Sequence, residues 1–176
     1  MKTLYIERST GEVRSGEWVE KLDLADVSRI VVGTGPGSFA GIRSALAFAQ
    51  GFALGRPCEV LGLPSACALA EPGTKLAVVG DARQGKIWIA LLDGFALLRD
   101  VFQVDAADLK EAVPDGFSVV SPDARRLDAV LAEAFGARYL GGRLPTPEGL
   151  RRFAEANPSA LKPEPLPIYL NPAVRT

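Results

Sequence analysis

Arg29-Ile-Val-Val-Gly-Thr-Gly-Pro-Gly-Ser38, Phe39-Ala-Gly-Ile-Arg-Ser-Ala-Leu-Ala-Phe-Ala-Gln-Gly-Phe-Ala-Leu54 and Gly55-Arg-Pro57 form the stretch on which the reading of this chain turns. The β-branched run at its head predicts a buried strand. Gly33, Gly35 and Gly37 let the backbone turn sharply and Pro36 stiffens the turn. Ser38 is a natural N-cap, and Gly55 with Pro57 is a stop signal. The prediction is strand, glycine loop, helix.

Gly41, Ala45, Ala49 and Ala53 recur every four residues along that helix, with Phe39, Ile42 and Leu46 beside them. A helix with so few polar side chains is buried on all sides or pairs with another chain. Arg43, Gln50 and two glycines argue against a membrane span. The expectation is one face on a β-sheet. The strip formed by Phe39, Gly41, Ile42, Ala45, Leu46, Ala49 and Ala53 should meet a partner helix.

The chain has 176 residues, 48% of them hydrophobic, and a formal net charge of −1. That supports one good core, or one domain with a small second lobe. Balanced charge gives no broad electrostatic footprint for nucleic acid. Cys58 and Cys67 are too few for a disulfide framework or a zinc site and read as small hydrophobes in a reducing cytosol. No signal peptide or apolar span is evident, so the expected location is the cytoplasm. The absence of histidine excludes His-dependent triads and His-ligated metals.

Along the rest of the chain, Thr3–Arg8 reads as a strand and Gly16–Glu20 as a second, short one. Cys58–Leu63 is a strand and Pro64–Ala70 a short helix with proline at its start. Lys75–Gly80 and Lys86–Leu92 form a hairpin around the turn Asp81-Ala-Arg-Gln-Gly85. One more strand runs from Phe95 to Val104. A helix from Asp105 to Val113 begins with a capping-box pattern, Asp105-Ala-Ala-Asp108. Phe117–Ser121 is a strand, Pro122–Phe135 an amphipathic helix, Ala137–Leu140 a short strand, and Pro147–Ala156 a helix with a basic face at Arg151 and Arg152. The proline-rich tail should be extended, with Ile168, Tyr169 and Leu170 to dock it. This order supports a mixed α/β domain with hairpins entering a partly parallel sheet. Residues 1–104 form an N-terminal subdomain and 105–176 a smaller lobe.

Gly35-Pro-Gly-Ser-Phe-Ala40 formally satisfies a dinucleotide fingerprint. The next strand, however, ends in Gly62-Leu63 rather than in an acid for the ribose, and Phe39 adds bulk where a pyrophosphate needs open backbone. No Lys-Ser/Thr pair follows, so it is not a P-loop. Tight turn geometry is the simpler reading than an anion site. Asp81 and Arg83 at the hairpin tip, and Glu7 at the end of the first strand, are candidates for a carboxylate–anion site. The plainer reading is a solvated turn. Arg125 and Arg126 read as a solvated helix face. Spacing alone nominates no general acid, base or nucleophile.

The organising stretch resembles the TsaB (YeaZ) family. Gly35–Arg43 matches its Gly-Pro-Gly-Ser-Phe-Thr-Gly-Leu-Arg signature with Ala40 and Ile42 substituted, and Gln50–Gly55 matches the run that closes its helix. Asp81–Trp88 resembles its Asp-Ala-Arg hairpin and Pro167–Leu170 its Pro-x-Tyr-Leu segment. The resemblance implies an actin-like, sugar-kinase (ribonuclease H-like) α/β fold with a truncated N-terminal lobe. Only Gly11–Ser28 stands where the family places a hairpin and a long helix. It also implies a non-catalytic partner of a TsaD subunit in making threonylcarbamoyladenosine on tRNA. A TsaE-type ATPase joins the larger complex, and tRNA is met only through it. No cofactor or metal is expected. Ile6-Glu-Arg-Ser-Thr10 resembles an altered copy of the family's phosphate motif, with Arg8 in place of a small residue. The alternative is a homodimeric regulatory or nucleotide-binding protein of the actin-like kinase class. It would bind ATP or ADP weakly through a vestigial site at Glu7, Asp81 and Arg83.

Overall fold

The computed structural model describes residues 2–11 and 22–170. The expected strand at Gly16–Glu20 and the end of the proline-rich tail, including Pro172, lie outside the described residues. The rest is a mixed α/β protein, as the order of elements predicted.

Strand β1 (Lys2–Ile6) runs parallel to β2 (Val27–Gly33), and β2 runs parallel to β3 (Glu59–Leu63). A two-residue strand at Lys162–Pro163 adds antiparallel to β3 and completes a four-stranded sheet. Nearly all of β2 is buried, as a parallel strand covered on both faces should be. Helix α1 (Phe39–Leu54) follows the glycine loop with the bounds its sequence predicted. Ser38 Oγ accepts the Gly41 N–H at 3.2 Å, and the Gly55 N–H reaches the Phe52 carbonyl at 3.2 Å. Ile42, Ala45, Leu46 and Ala49 pack on Ile6, Val27, Ile30 and Val32 of the sheet. Alternation sends Val31, Leu61 and Leu63 to the opposite face, also buried. Helix α2 (Pro147–Ala156) packs against β1 and buries Leu150, Phe153 and Ala154. Pro64–Ala70 forms a 3-10 turn over Ser65–Leu69 rather than an α-helix.

The second sheet is built on the predicted hairpin, β4 (Lys75–Arg83) and β5 (Lys86–Asp93). Strand β6 (Ser118–Ser121) joins β4 in parallel and β7 (Tyr139–Gly142) extends it in parallel. The single strand expected over Phe95–Val104 is two, Ala96–Leu97 and Phe102–Asp105, both antiparallel to β5. Between them Arg99 folds over the Phe102 ring, 4.1 Å from its centroid. The capping box at Asp105 does not form. Asp105 ends a strand and pairs with Lys86 at 3.5 Å, so its carboxylate caps nothing, and only a 3-10 turn and one α-turn (Leu109–Ala112) follow. Helix α3 (Ala124–Phe135) and the Leu109–Phe117 segment cover one face through Leu109, Val113, Phe117, Leu127, Leu131 and Phe135. The basic face read on Pro147–Ala156 is a mixed one, because Arg151 bonds both Glu148 and Glu155.

The chain divides into two compact units, Met1–Ala68 with Pro145–Ile168 and Leu69–Leu144 with Tyr169–Thr176. This differs from the 104/105 boundary read from the sequence. A cut there would sever the sheet in which β4 and β5 pair with strands on both sides of residue 105.

Candidate functional site

The carboxyl ends of three parallel strands converge in the first unit, the place where α/β sheets hold ligands. Glu7 follows β1, Gly33 and Thr34 end β2, and Leu63 leads through Pro64 to Ser65. The loop is stitched to these ends. The Gly35 N–H donates to Ser65 Oγ at 3.0 Å, and the Thr34 hydroxyl and N–H donate to the Leu63 carbonyl at 3.0 and 2.8 Å. From the tail, the Ile168 N–H donates to the Thr34 carbonyl at 2.9 Å, as the expected docking of that segment requires. Gly35 has φ of +92°, a conformation that favours glycine, and the Gly35–Pro36 peptide is cis.

What fills this crevice is the protein itself. A Cβ on Gly37 would overlap the Ser9 carbonyl, one on Gly41 the Arg8 carbonyl, and one on Gly33 the Glu7 carboxylate. The glycines are spaced so that residues 7–9 can lie directly on the loop and the first turn of α1. The Ser38 N–H donates to the Ser9 carbonyl at 2.6 Å. An amide that could cradle a phosphate at this helix start is therefore spent on the chain's own backbone.

Glu7 is the chemically notable member. Its Oε1 accepts the Ser9 N–H at 2.6 Å, whereas Oε2 is sealed from water with no hydrogen-bond partner. Burial pushes the carboxyl above its ordinary range, and hydrogen bonding from Ser9 offsets this only in part. A raised folded-state pKa means that the folded form binds the proton more tightly. The stability so gained is full below the unfolded value near 4.5 and is lost as pH rises through the folded value. Glu7→Gln should therefore stabilise the protein at pH 8 by about 1 kcal/mol, because the neutral amide removes the charge that burial penalises. The difference in melting temperature between variant and parent should shrink toward pH 4. A difference independent of pH would remove the burden assigned to Oε2.

Asp81 and Arg83 fall in the second unit, while Glu7 belongs to the first. Asp81 lies within β4, not in the turn, and both its oxygens are engaged. Oδ1 accepts the Arg83 N–H at 2.8 Å, Oδ2 takes Arg126 at 3.0 Å, and Arg83 Nη1 lies 3.6 Å from Oδ2. Arg83, Gln84 and Gly85 all have positive φ, and the Asp81 side chain closes this turn. Arg126, read as part of a solvated face, is thus a partner of Asp81. Asp123 was not singled out in the sequence. It accepts the Asp81 N–H at 2.9 Å, and burial foremost, with the Asp81 charge, raises its pKa. The Ser121-Pro-Asp123 turn before a helix was its only sequence signal. Among the described residues no group of His, Cys, Asp or Glu could hold a metal ion, and no helix is long and apolar enough to cross a membrane.

Of the seven residues assigned to a partner interface, five (Gly41, Ile42, Ala45, Leu46 and Ala49) lie in the first unit's own core. Ala53 is half-buried and Phe39 is exposed. The small-residue strip faces the sheet because only small side chains let α1 sit close to β2. The outward face carries Phe39, Ala40, Arg43, Ala47, Gln50, Gly51 and Leu54 instead.

Residues 19–116 match the family profile described as TsaD, tRNA N6-adenosine threonylcarbamoyltransferase. The chain belongs to that family. The tRNA threonylcarbamoyladenosine biosynthesis protein TsaB of Escherichia coli is 33% identical over 73 residues, covering 38% of this chain and 32% of that protein. The chain thus matches about a third of the length of this curated relative. YeaZ from Pseudomonas aeruginosa superposes with a TM-score of 0.62 at 21% identity, covering 82% of this chain and 74% of that one. A second structure has the same score at 20% identity and the same coverage. It is described as an uncharacterized protein with similarity to peptidase YEAZ from Pseudomonas aeruginosa. The chain has the actin-like, ribonuclease H-like fold of those structures.

Proposed function

We propose that this chain is a non-catalytic TsaB-type subunit that binds and supports a TsaD-type subunit in making threonylcarbamoyladenosine on tRNA in the cytoplasm. The observation that carries the reading is the crevice at the strand ends, which residues 7–9 occupy with their own backbone. A nucleotide would have to displace the Ser9 carbonyl from the start of α1 and strip Glu7 of its Ser9 bond. Asp81 already holds the Arg83 N–H through Oδ1 and Arg126 through Oδ2, in the unit that does not contain Glu7. The match to the TsaD profile and to the Escherichia coli threonylcarbamoyladenosine biosynthesis protein TsaB supports a place in that pathway. In this reading a TsaE-type ATPase and the tRNA are met through the assembled complex.

The test mixes the purified chain with TsaD from the same source, follows co-elution by size exclusion, and measures tRNA modification with and without the chain. Calorimetry with ATP and magnesium runs alongside. Co-elution at micromolar concentration, modification that depends on the chain, and no heat from ATP are expected. Absence of both co-elution and any effect on modification would sink the scaffold role. Micromolar ATP binding would instead favour the kinase-class alternative.

A further inference from the structure

The segment that fills the strand-end crevice hangs on one carboxyl group. Glu7 Oε1 accepts the Ser9 N–H at 2.6 Å, and the Ser9 carbonyl in turn accepts the Ser38 N–H at 2.6 Å. Glu7, Ser9 and the start of α1 are thus linked in series. Arg8 and Ser9 are buried. The fit is tight, since a Cβ on Gly37 would overlap the Ser9 carbonyl and one on Gly41 the Arg8 carbonyl.

The weak point is Glu7 Oε2. A Cβ on Gly33 would fall on it, and it is sealed from water without a hydrogen-bond partner. A neutral carboxyl group tolerates that position far better than a carboxylate with one oxygen unmet. Glu7 as a whole keeps some exposed surface, so a small outward movement brings Oε2 to water. Along the segments that meet at this crevice, the titratable groups are Arg8 on its own strand, Arg43 in α1, Cys67 in the 3-10 segment, and Glu164 and Tyr169 in the tail that reaches Thr34. The influences on the Glu7 proton are burial first and then hydrogen bonding, with no charged side chain among them.

We infer that residues 7–9 are a proton-operated latch: protonated Glu7 keeps them on the start of α1, and ionised Glu7 draws Ser9 away with it and frees the Ser38 amide to solvent. The state of the latch decides whether the crevice is filled by the chain or open. The inference does not depend on the subunit role proposed above. An open segment holds Glu7 in water, where it ionises near 4.5, whereas the closed one keeps its proton to a higher pH. Opening is therefore independent of pH below about 4.5 and rises about tenfold per pH unit above it. It levels off once Glu7 in the closed form also ionises.

Amide hydrogen exchange of the full chain, followed by NMR from about pH 4 to about pH 9, tests this with the parent, Glu7→Gln and Gly41→Ala. Protection, corrected for the intrinsic pH dependence of exchange, should fall at Ser38 as pH rises in the parent. It should stay constant in Glu7→Gln. The reference is Thr34, whose N–H donates to the Leu63 carbonyl in the same crevice. Thr34 should remain at least about tenfold better protected than Ser38, because the latch opens without the sheet. In Gly41→Ala the added Cβ pushes the Arg8 carbonyl off α1, so Ser38 should be weakly protected at every pH. A Ser38 protection that does not fall with pH in the parent, or that falls as much in Glu7→Gln, overturns the inference. So does equal protection at Ser38 and Thr34, which would mean that the segment leaves only when the first unit unfolds. Should Gly41→Ala fail to fold, the comparison of the parent with Glu7→Gln decides alone.

Discussion

Replacing Ala45 by leucine is expected to destabilise the first unit by roughly 3 kcal/mol, at the upper end of what overpacking costs. Ala45 and Ala49 have no exposed surface and lie on Ile30 and Val32 of β2. That strand is buried on its other face as well, at Val31, so it cannot retreat from added bulk. The helix cannot lift off either. Its first turn is held by the Arg8 carbonyl over Gly41 and by the Ser38–Ser9 bond. Ala47→Leu, two residues on, points to solvent and should leave the melting temperature within a degree or two of the parent. The opposed pair reads out which face meets the sheet. If Ala45→Leu melts with the parent, the strip does not lie against the sheet.

Much of the first unit was legible because its signals were local. Ser38, Gly55 and the β-branched run at Ile30 to Val32 marked α1 and its strand without any long-range knowledge. The orientation of α1 was not legible. A strip of Gly41, Ala45 and Ala49 says that something approaches closely, but not whether that is a neighbouring chain or the protein's own sheet. Only the register of β2 beneath it decides. The same limit explains Asp81. The hairpin was plain from Lys75 to Leu92, but the use of both Asp81 oxygens depends on Arg126, which is 45 positions away in sequence. Glu7 was visible as an acid at a strand end. That its carboxylate lies against Gly33, in a crevice closed by residues 8 and 9, follows from three glycines whose missing side chains carry no chemical signature of their own. The failed capping box at Asp105 is a competition that Lys86 won from an adjacent strand.

Phe153→Ala should cost about 4 kcal/mol, the largest effect of any conservative truncation in the first unit. Phe153 is the largest fully buried side chain among the described residues and sits on α2 with Leu150, against β1. A truncated core site costs least when its neighbours can collapse into the space, and here the helix is pinned. Thr146 Oγ1 accepts the Gly149 N–H at 3.0 Å, and a Cβ on Gly149 would overlap the Ala68 carbonyl. Helix α2 is already as close to the 3-10 segment as backbone allows, so it cannot slide inward to fill the cavity. Against a total stability of about 5–15 kcal/mol for a domain, such a loss brings the unit near its threshold. Urea denaturation should show a lowered midpoint with an unchanged slope, and hydrogen exchange should speed most in β1 and β2. Phe153→Leu, which keeps most of the volume, should cost about 1 kcal/mol. If Phe153→Ala unfolds within about 1 kcal/mol of the parent, α2 is not the second cover of this sheet, and the burial of β2 on both faces needs another explanation.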